Sequence, residues 1–199
     1  MSFSQVHEEV FRSINDLGKH YPALNPFAVF LAEYTLYVLA AGVVVYWFTR
    51  SSPNRRMVVQ AVLAFGLAEI YGTIAGQFYS HHQPFAVLPD VTALVPHEID
   101  NSFPSDHTIL FFSFCFSFLL VRGREGWLWL ALAVCVGISR IYVGVHYPVD
   151  IAVGALFGML AALIAYRLTP KLSFLNRLLA VYEKIENRLL PSKGNARNM

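Results

Sequence analysis

The chain has 199 residues, of which 56% are hydrophobic, 15% aromatic and only 14% charged. Soluble domains carry about 25% charged and about 45–50% apolar residues, so this apolar excess, gathered into long runs, excludes a disordered chain and a single water-soluble core. A formal net charge of +2, with the basic residues at the ends of apolar runs, excludes a nucleic-acid-binding surface. Two cysteines, Cys115 and Cys135, both inside apolar runs, exclude a disulfide-built secreted domain.

The first element is an amphipathic helix, with Val6, Val10, Ile14 and Leu17 on one stripe opposite Glu9, Arg12 and Asp16. The opening 26 residues are too polar for a cleavable signal peptide, so the first span is expected to stay in the mature protein. A bilayer core of about 30 Å needs about 20 apolar helical residues. Residues 27–48, 57–79, 127–143 and 148–166 meet that length. A shorter run, 108–121, covers about 21 Å at 1.5 Å per residue and spans only if residues 103–107 also lie at the membrane boundary. The reading is all-α: a polytopic membrane helix bundle of five to six spans with amphipathic terminal helices. Near the C-terminus Leu175, Leu178, Leu179, Tyr182 and Leu189 form a second stripe beside Arg177, Lys184 and Arg188. Each terminal helix suits either the membrane interface or packing on its own bundle. Residues 1–191 make one domain, and 192–199 read as a disordered tail.

Lysine and arginine counts set the orientation. Arg50, Arg55 and Arg56 follow the first span, Arg122 and Arg124 precede the fourth, and seven basic residues from Arg167 to Arg197 lie in the tail. The loop 80–104 has none and carries Asp90, Glu98 and Asp100. That loop and the 144–147 turn are therefore expected outside, with the C-terminus inside.

Ionisable groups at the ends of apolar runs are costly and mark function. His107 opens the third span, Arg140 nears the outer end of the fourth, and His146 and Asp150 flank the start of the fifth. Three helices thus deliver two histidines, an arginine and a carboxylate to one level. Pro148 suits a first helical turn, which places Asp150 within a turn of His146. A carboxylate against one imidazole nitrogen frees the other as nucleophile or base. Ser105, Asp106 and His107 form a helix start, where free N–H groups favour a phosphate anion. Arg140 adds a planar fork suited to phosphate oxygens. The combination points to phosphoryl-transfer chemistry.

Pro104-Ser105-Asp106-His107 resembles the second signature of the phosphatidic-acid phosphatase type 2 superfamily. Ser139-Arg140, five residues, His146, three residues, Asp150 resembles the third. Within that superfamily the segment Asp100-Asn101-Ser102-Phe103-Pro104-Ser105-Asp106-His107 is most similar to the bacitracin-resistance type of undecaprenyl-diphosphatase. The resemblance implies His146 as nucleophile forming a phosphohistidine, Asp150 as its orienting partner and His107 as general acid and base. It implies that Ser105, Asp106, Ser139, Arg140 and Gln83 form the phosphate-binding set, with no metal or cofactor. The implied setting is a multi-pass bacterial cell-membrane enzyme with an outward-facing site, whose partners are a polyprenyl diphosphate lipid and membrane lipids. The family's first signature is a lysine, six residues, then Arg-Pro. Here Gly76 and Gln83 stand in place of the two cations before Pro84, and His81, His82, Arg12 and Lys19 are the candidates to supply the missing charge.

A glycerolipid phosphatase acting on phosphatidic acid or phosphatidylglycerol phosphate is the alternative within the class. A carrier using Glu69 and Glu33 as relay groups, or a non-catalytic bacitracin-binding protein, are alternatives outside it. Glu69 is expected to pair inside the bundle, and Glu33 either lines the mouth of the site or meets the interface. His97 is expected to be a surface histidine, the cysteines buried fillers, and Phe111–Phe118 a face against lipid or helices.

Overall fold

A computed structural model describes residues 3–190, with side chains from residue 7 onward; Val6 and the expected tail 192–199 fall outside this description. The described residues are helical and loop, without strands. Helix α1, Phe3–Asn15, leads into α2, Pro22–Phe48, which is mostly apolar and contains a π-helical turn at Phe30–Tyr34. Helices α3 (Ser52–Phe78), α4 (Asp106–Arg122), α5 (Arg124–Tyr142), α6 (Pro148–Leu168) and α7 (Ser173–Leu189) follow. Among the described residues four spans, in α2, α3, α5 and α6, are long and apolar enough to cross a membrane. Together with the multi-pass pattern this makes an integral membrane bundle, its exposed Leu, Ile, Val and Phe side chains forming the lipid-facing belt.

Helix α4 is the axis. It is 17 residues long, about two residues short of α5, and packs against α3, α5 and α6. Its phenylalanines Phe111, Phe112, Phe114 and Phe118 are buried among those helices rather than turned to lipid. Its start is recessed, because Pro104 packs on Gly72, six residues before the end of α3 at Phe78; at 1.5 Å per residue that is about 9 Å.

Close approach of α4 and α6 depends on small residues. Gly154, Ala155, Gly158, Ala161, Ala162 and Ala165 are the buried stripe of α6, a glycine pair four apart of the kind that lets helix backbones touch. A Cβ at Gly158 would lie 2.9 Å from the backbone nitrogen of Ser113 and 3.0 Å from the carbonyl of Ile109.

Both terminal helices pack on the bundle, each with part of its predicted stripe: Ile14 packs inward from α1 and Tyr182 from α7. In α1 Phe11 and Asn15 also face inward, while Val10 is exposed. Asn15 Nδ2 donates to Tyr142 O (2.8 Å) and Thr92 O (3.0 Å), and its Oδ1 accepts from Thr92 N (2.9 Å). In α7 the carboxylate of Glu186 takes the buried Arg55 guanidinium at 2.6 Å, and Tyr182 accepts from Trp47 Nε1 at 3.2 Å. The exposed stripe is Phe174, Leu178, Val181, Ile185 and Leu189, so Glu186 and the Tyr182 ring dock the helix while this stripe looks away from the protein. Cys115 is buried, but Cys135 is exposed on the lipid-facing side, contrary to the expected filler role.

Gly158→Ala is expected to lower stability by about 1–3 kcal/mol through overpacking, read as thermal unfolding in detergent. Gly66→Ala, where a Cβ meets nothing within 4 Å, is the control and should cost nothing.

Candidate active site

Chain direction reverses between α5 and α6 in a turn where Gly144 takes φ of +89° and a Cβ would fall 2.8 Å from Thr92 O; glycine is required there. Pro148 then starts α6 without an amide hydrogen to satisfy. Asp150, completely buried, accepts from the Tyr147 amide at 2.8 Å on Oδ2 and so caps the helix it belongs to.

The same carboxylate gathers two more segments. Ser102 Oγ donates to Asp150 Oδ2 at 2.7 Å, and His81 Nε2 lies 3.0 Å from Oδ1. The Asp150 backbone carbonyl accepts from Ser105 N at 3.3 Å. Residues 81–83 run beside 100–102: Ser102 N donates to His81 O at 2.8 Å, and the Gln83 amide nitrogen donates to Asp100 Oδ1.

His146, 6% exposed, sits at the centre. Its Nδ1 is 3.0 Å from the Ser102 carbonyl oxygen, 3.1 Å from Ser102 Oγ and 3.6 Å from Asp150 Oδ2. A carbonyl oxygen only accepts, so Nδ1 carries the proton and Nε2 keeps its lone pair. Asp150 therefore reaches the imidazole largely through Ser102, and less by the direct contact expected from sequence. Burial pushes His146 below the ordinary histidine range, against the hydrogen bond to Asp150 and with the help of Arg140.

Arg140, in the last turn of α5, is 1% exposed. Its Nη1 donates to Glu33 Oε1 at 3.1 Å and to Ala32 O at 3.3 Å, both in the π-helical turn of α2. Its Nε is buried and has no partner among the described residues. His107 is half-buried at the second position of α4, within electrostatic reach of Arg140, His146 and His97.

The remaining expected site residues divide. Ser105 is fully buried and caps α4, its Oγ accepting from Thr108 N at 3.4 Å and Thr108 Oγ1 at 3.1 Å. Asp106 is exposed next to it. Ser139 Oγ donates to Val136 O at 2.7 Å within its own helix. Gln83 is fully buried, with both ends of its amide on Asp100. Of the candidates for extra charge, His81 joins Asp150. Arg12 pairs with Glu8 and Pro89 O, and Lys19 with Asp16 and Asp90 O. Glu69 Oε1 has no hydrogen-bond partner, so the expected internal pairing is not observed.

Two participants, His97 and Ser102, escaped the sequence, and Glu33, expected at the mouth of the site or at the interface, has a partner the sequence did not name. The His97 ring lies 6.1 Å from that of His146 at 79°, with Nδ1 on Glu98 O at 2.9 Å. Ser102 bridges His146 and Asp150, and Glu33 holds Arg140. No spacing rule ties residues 44 or 107 positions apart; only the two motifs were short enough to read. Among the described residues no group of three or more His, Cys, Asp or Glu side chains is placed to hold a metal ion.

A buried His–Asp–Arg layer at one end of a membrane helix bundle defines a class of membrane-embedded protein. The chain belongs to the PAP2 superfamily, whose profile it matches over residues 57–174. It is 58% identical over 98% of its length to the bacitracin transport permease protein BcrC of Bacillus licheniformis, covering 97% of that protein. It is 30% identical over 92% of its length to undecaprenyl-diphosphatase BcrC of Bacillus subtilis, covering 95% of it. The crystal structure of Aquifex aeolicus LpxE superposes with a TM-score of 0.64 at 28% identity, over 81% of this chain and 95% of that one.

Burial alone would lower the His81 pKa, but Asp150 raises it above its ordinary 6.5. Protonated His81 therefore stabilises the fold fully below about pH 6.5, and that contribution fades as pH rises through the higher folded value. The melting-temperature gap between the natural protein and His81→Gln is expected to narrow from pH 6 to pH 9.

Proposed function

We propose that this protein is a membrane phosphatase that removes the terminal phosphate of undecaprenyl diphosphate, facing the outer side of a bacterial cell membrane. The product is the undecaprenyl phosphate carrier used again in cell-wall synthesis, and its supply underlies bacitracin resistance. One observation carries the chemistry: His146 Nδ1 is bound to the Ser102 carbonyl, so Nε2 is the nucleophilic nitrogen. The substrate class is supported by the two BcrC relatives, one of which bears the name undecaprenyl-diphosphatase.

In this reading His146 Nε2 attacks the terminal phosphorus while the bond to the bridging oxygen breaks. His107 gives the departing oxygen a proton. It then takes one from a water molecule, whose oxygen attacks the phosphohistidine and releases phosphate as the P–N bond breaks. Arg140, through Nε and its remaining amino group, takes up charge developing on the phosphoryl oxygens. Glu33 and the Ala32 carbonyl fix the guanidinium in place. Outward orientation rests on the loop 80–104, which lacks Lys and Arg, and the basic opposite end.

The test is phosphate release in detergent with excess chelator, from undecaprenyl diphosphate and phosphatidic acid side by side. Release that favours the prenyl substrate and disappears in His146→Ala is the expected result, and preference for phosphatidic acid overturns the substrate assignment. An alkaline quench with terminally labelled substrate should retain label on the protein, and His107→Ala should slow turnover about 10²–10⁴-fold. Arg140→Lys keeps the charge but loses the planar fork, and strong impairment is expected in kcat.

A further inference from the structure

At the end of the bundle opposite His146, a cavity of about 610 Å³ opens where α3 begins and α4 and α6 end. Its lining includes Arg56 and Arg167 with Gln60, Leu120 and Tyr166. Of the other arginines at this end, Arg50 and Arg55 pair with Glu186 and Arg122 with Glu125. Among the described residues no acidic partner stands within ion-pair distance of Arg56 or Arg167. Gln60 is 2% exposed, yet its amide nitrogen has no hydrogen-bond partner. A buried donor left unsatisfied costs about 1–3 kcal/mol. The site also takes in Ser52, the first residue of the 27-residue α3, where backbone N–H groups favour negative charge.

Two unpaired guanidinium groups and an orphaned amide donor suit a multi-oxygen anion, and apolar walls of Leu120, Met57 and Tyr166 suit a hydrocarbon chain beside it. Basic pockets between membrane helices take anionic head groups in this way. We propose that this cavity binds the phosphate group of an anionic phospholipid in the leaflet opposite the catalytic layer. It is separate from the substrate site, since none of its lining residues touches His146, Asp150 or Arg140. A lipid seated there fills the gap between the ends of α3, α4 and α6 and braces the helix on which His107 stands.

The test is thermal unfolding of the detergent-purified full chain titrated with phosphatidylglycerol, phosphatidylcholine or inorganic phosphate. Phosphatidylglycerol is expected to raise the melting temperature where phosphatidylcholine does not. Arg56→Gln/Arg167→Gln should bind it at least about tenfold more weakly while releasing phosphate from substrate at the normal rate. An arginine-dependent shift from inorganic phosphate alone would make the free ion the ligand of the same site. No shift in the natural protein, or equal shifts in the double variant, overturns the proposal. Native mass spectrometry of the natural protein gives an independent reading: retained phosphatidylglycerol in preference to phosphatidylcholine supports the site, and equal retention overturns it.

Discussion

The Asp150 carboxylate is the contact on which the loop end of the molecule depends. It is completely buried, and it holds the Tyr147 amide, the Ser102 hydroxyl and the His81 ring at 2.7–3.0 Å. A buried carboxylate is tolerable only when its oxygens are satisfied. Here two hydrogen bonds to Oδ2 and the His81 ring beside Oδ1 draw together a helix start, the residues before α4 and the start of the loop after α3. The imidazole of His146 is fixed by the same arrangement, because Ser102 presents both its carbonyl and its hydroxyl to Nδ1. Folding of the loop and orientation of the histidine are therefore one event.

Arg140 follows a similar logic at the next helix. Its guanidinium is buried, one amino group is occupied by α2, and its Nε is left without a partner. The π-helical turn of α2 matters in this respect, since such turns displace a carbonyl from its usual partner and are frequent at functional sites. Ala32 O and Glu33 are both in that turn. The first-signature cations of the family are replaced by Gly76 and Gln83, and Gln83 is committed to Asp100. Positive charge at the layer consequently comes from one well-held arginine, with His81 favoured in its protonated form by Asp150.

The spans and the polar layer were legible because both are written locally. Apolar runs of about 20 residues and motifs within twelve positions need no knowledge of the fold. The five expected runs correspond to α2–α6, with differences of up to five residues at the ends. What could not be read depends on packing. His97 looks like any loop histidine until the loop folds back over His146. Ser102 carries no signal apart from its partners, and the facing of α1 and α7 depends on Asn15 and Glu186 together with only part of their apolar stripes. Cys135 was assigned to the interior from its surroundings in sequence, but a lipid-facing surface has the same composition as a core, so hydropathy does not separate the two.

The recessed start of α4 has one more consequence. With Pro104 level with Gly72, the residues that open α4 lie about 9 Å below the end of α3, and the nearby Arg140 guanidinium is 1% exposed, a burial at which salt screens a charge much less than at the surface. Counterions screen charges at the rim of the bundle but reach this level poorly. The attraction between the guanidinium and an anionic oxygen therefore acts through a medium of low effective dielectric constant, and it holds its strength across ionic conditions that would weaken the same pair at the surface.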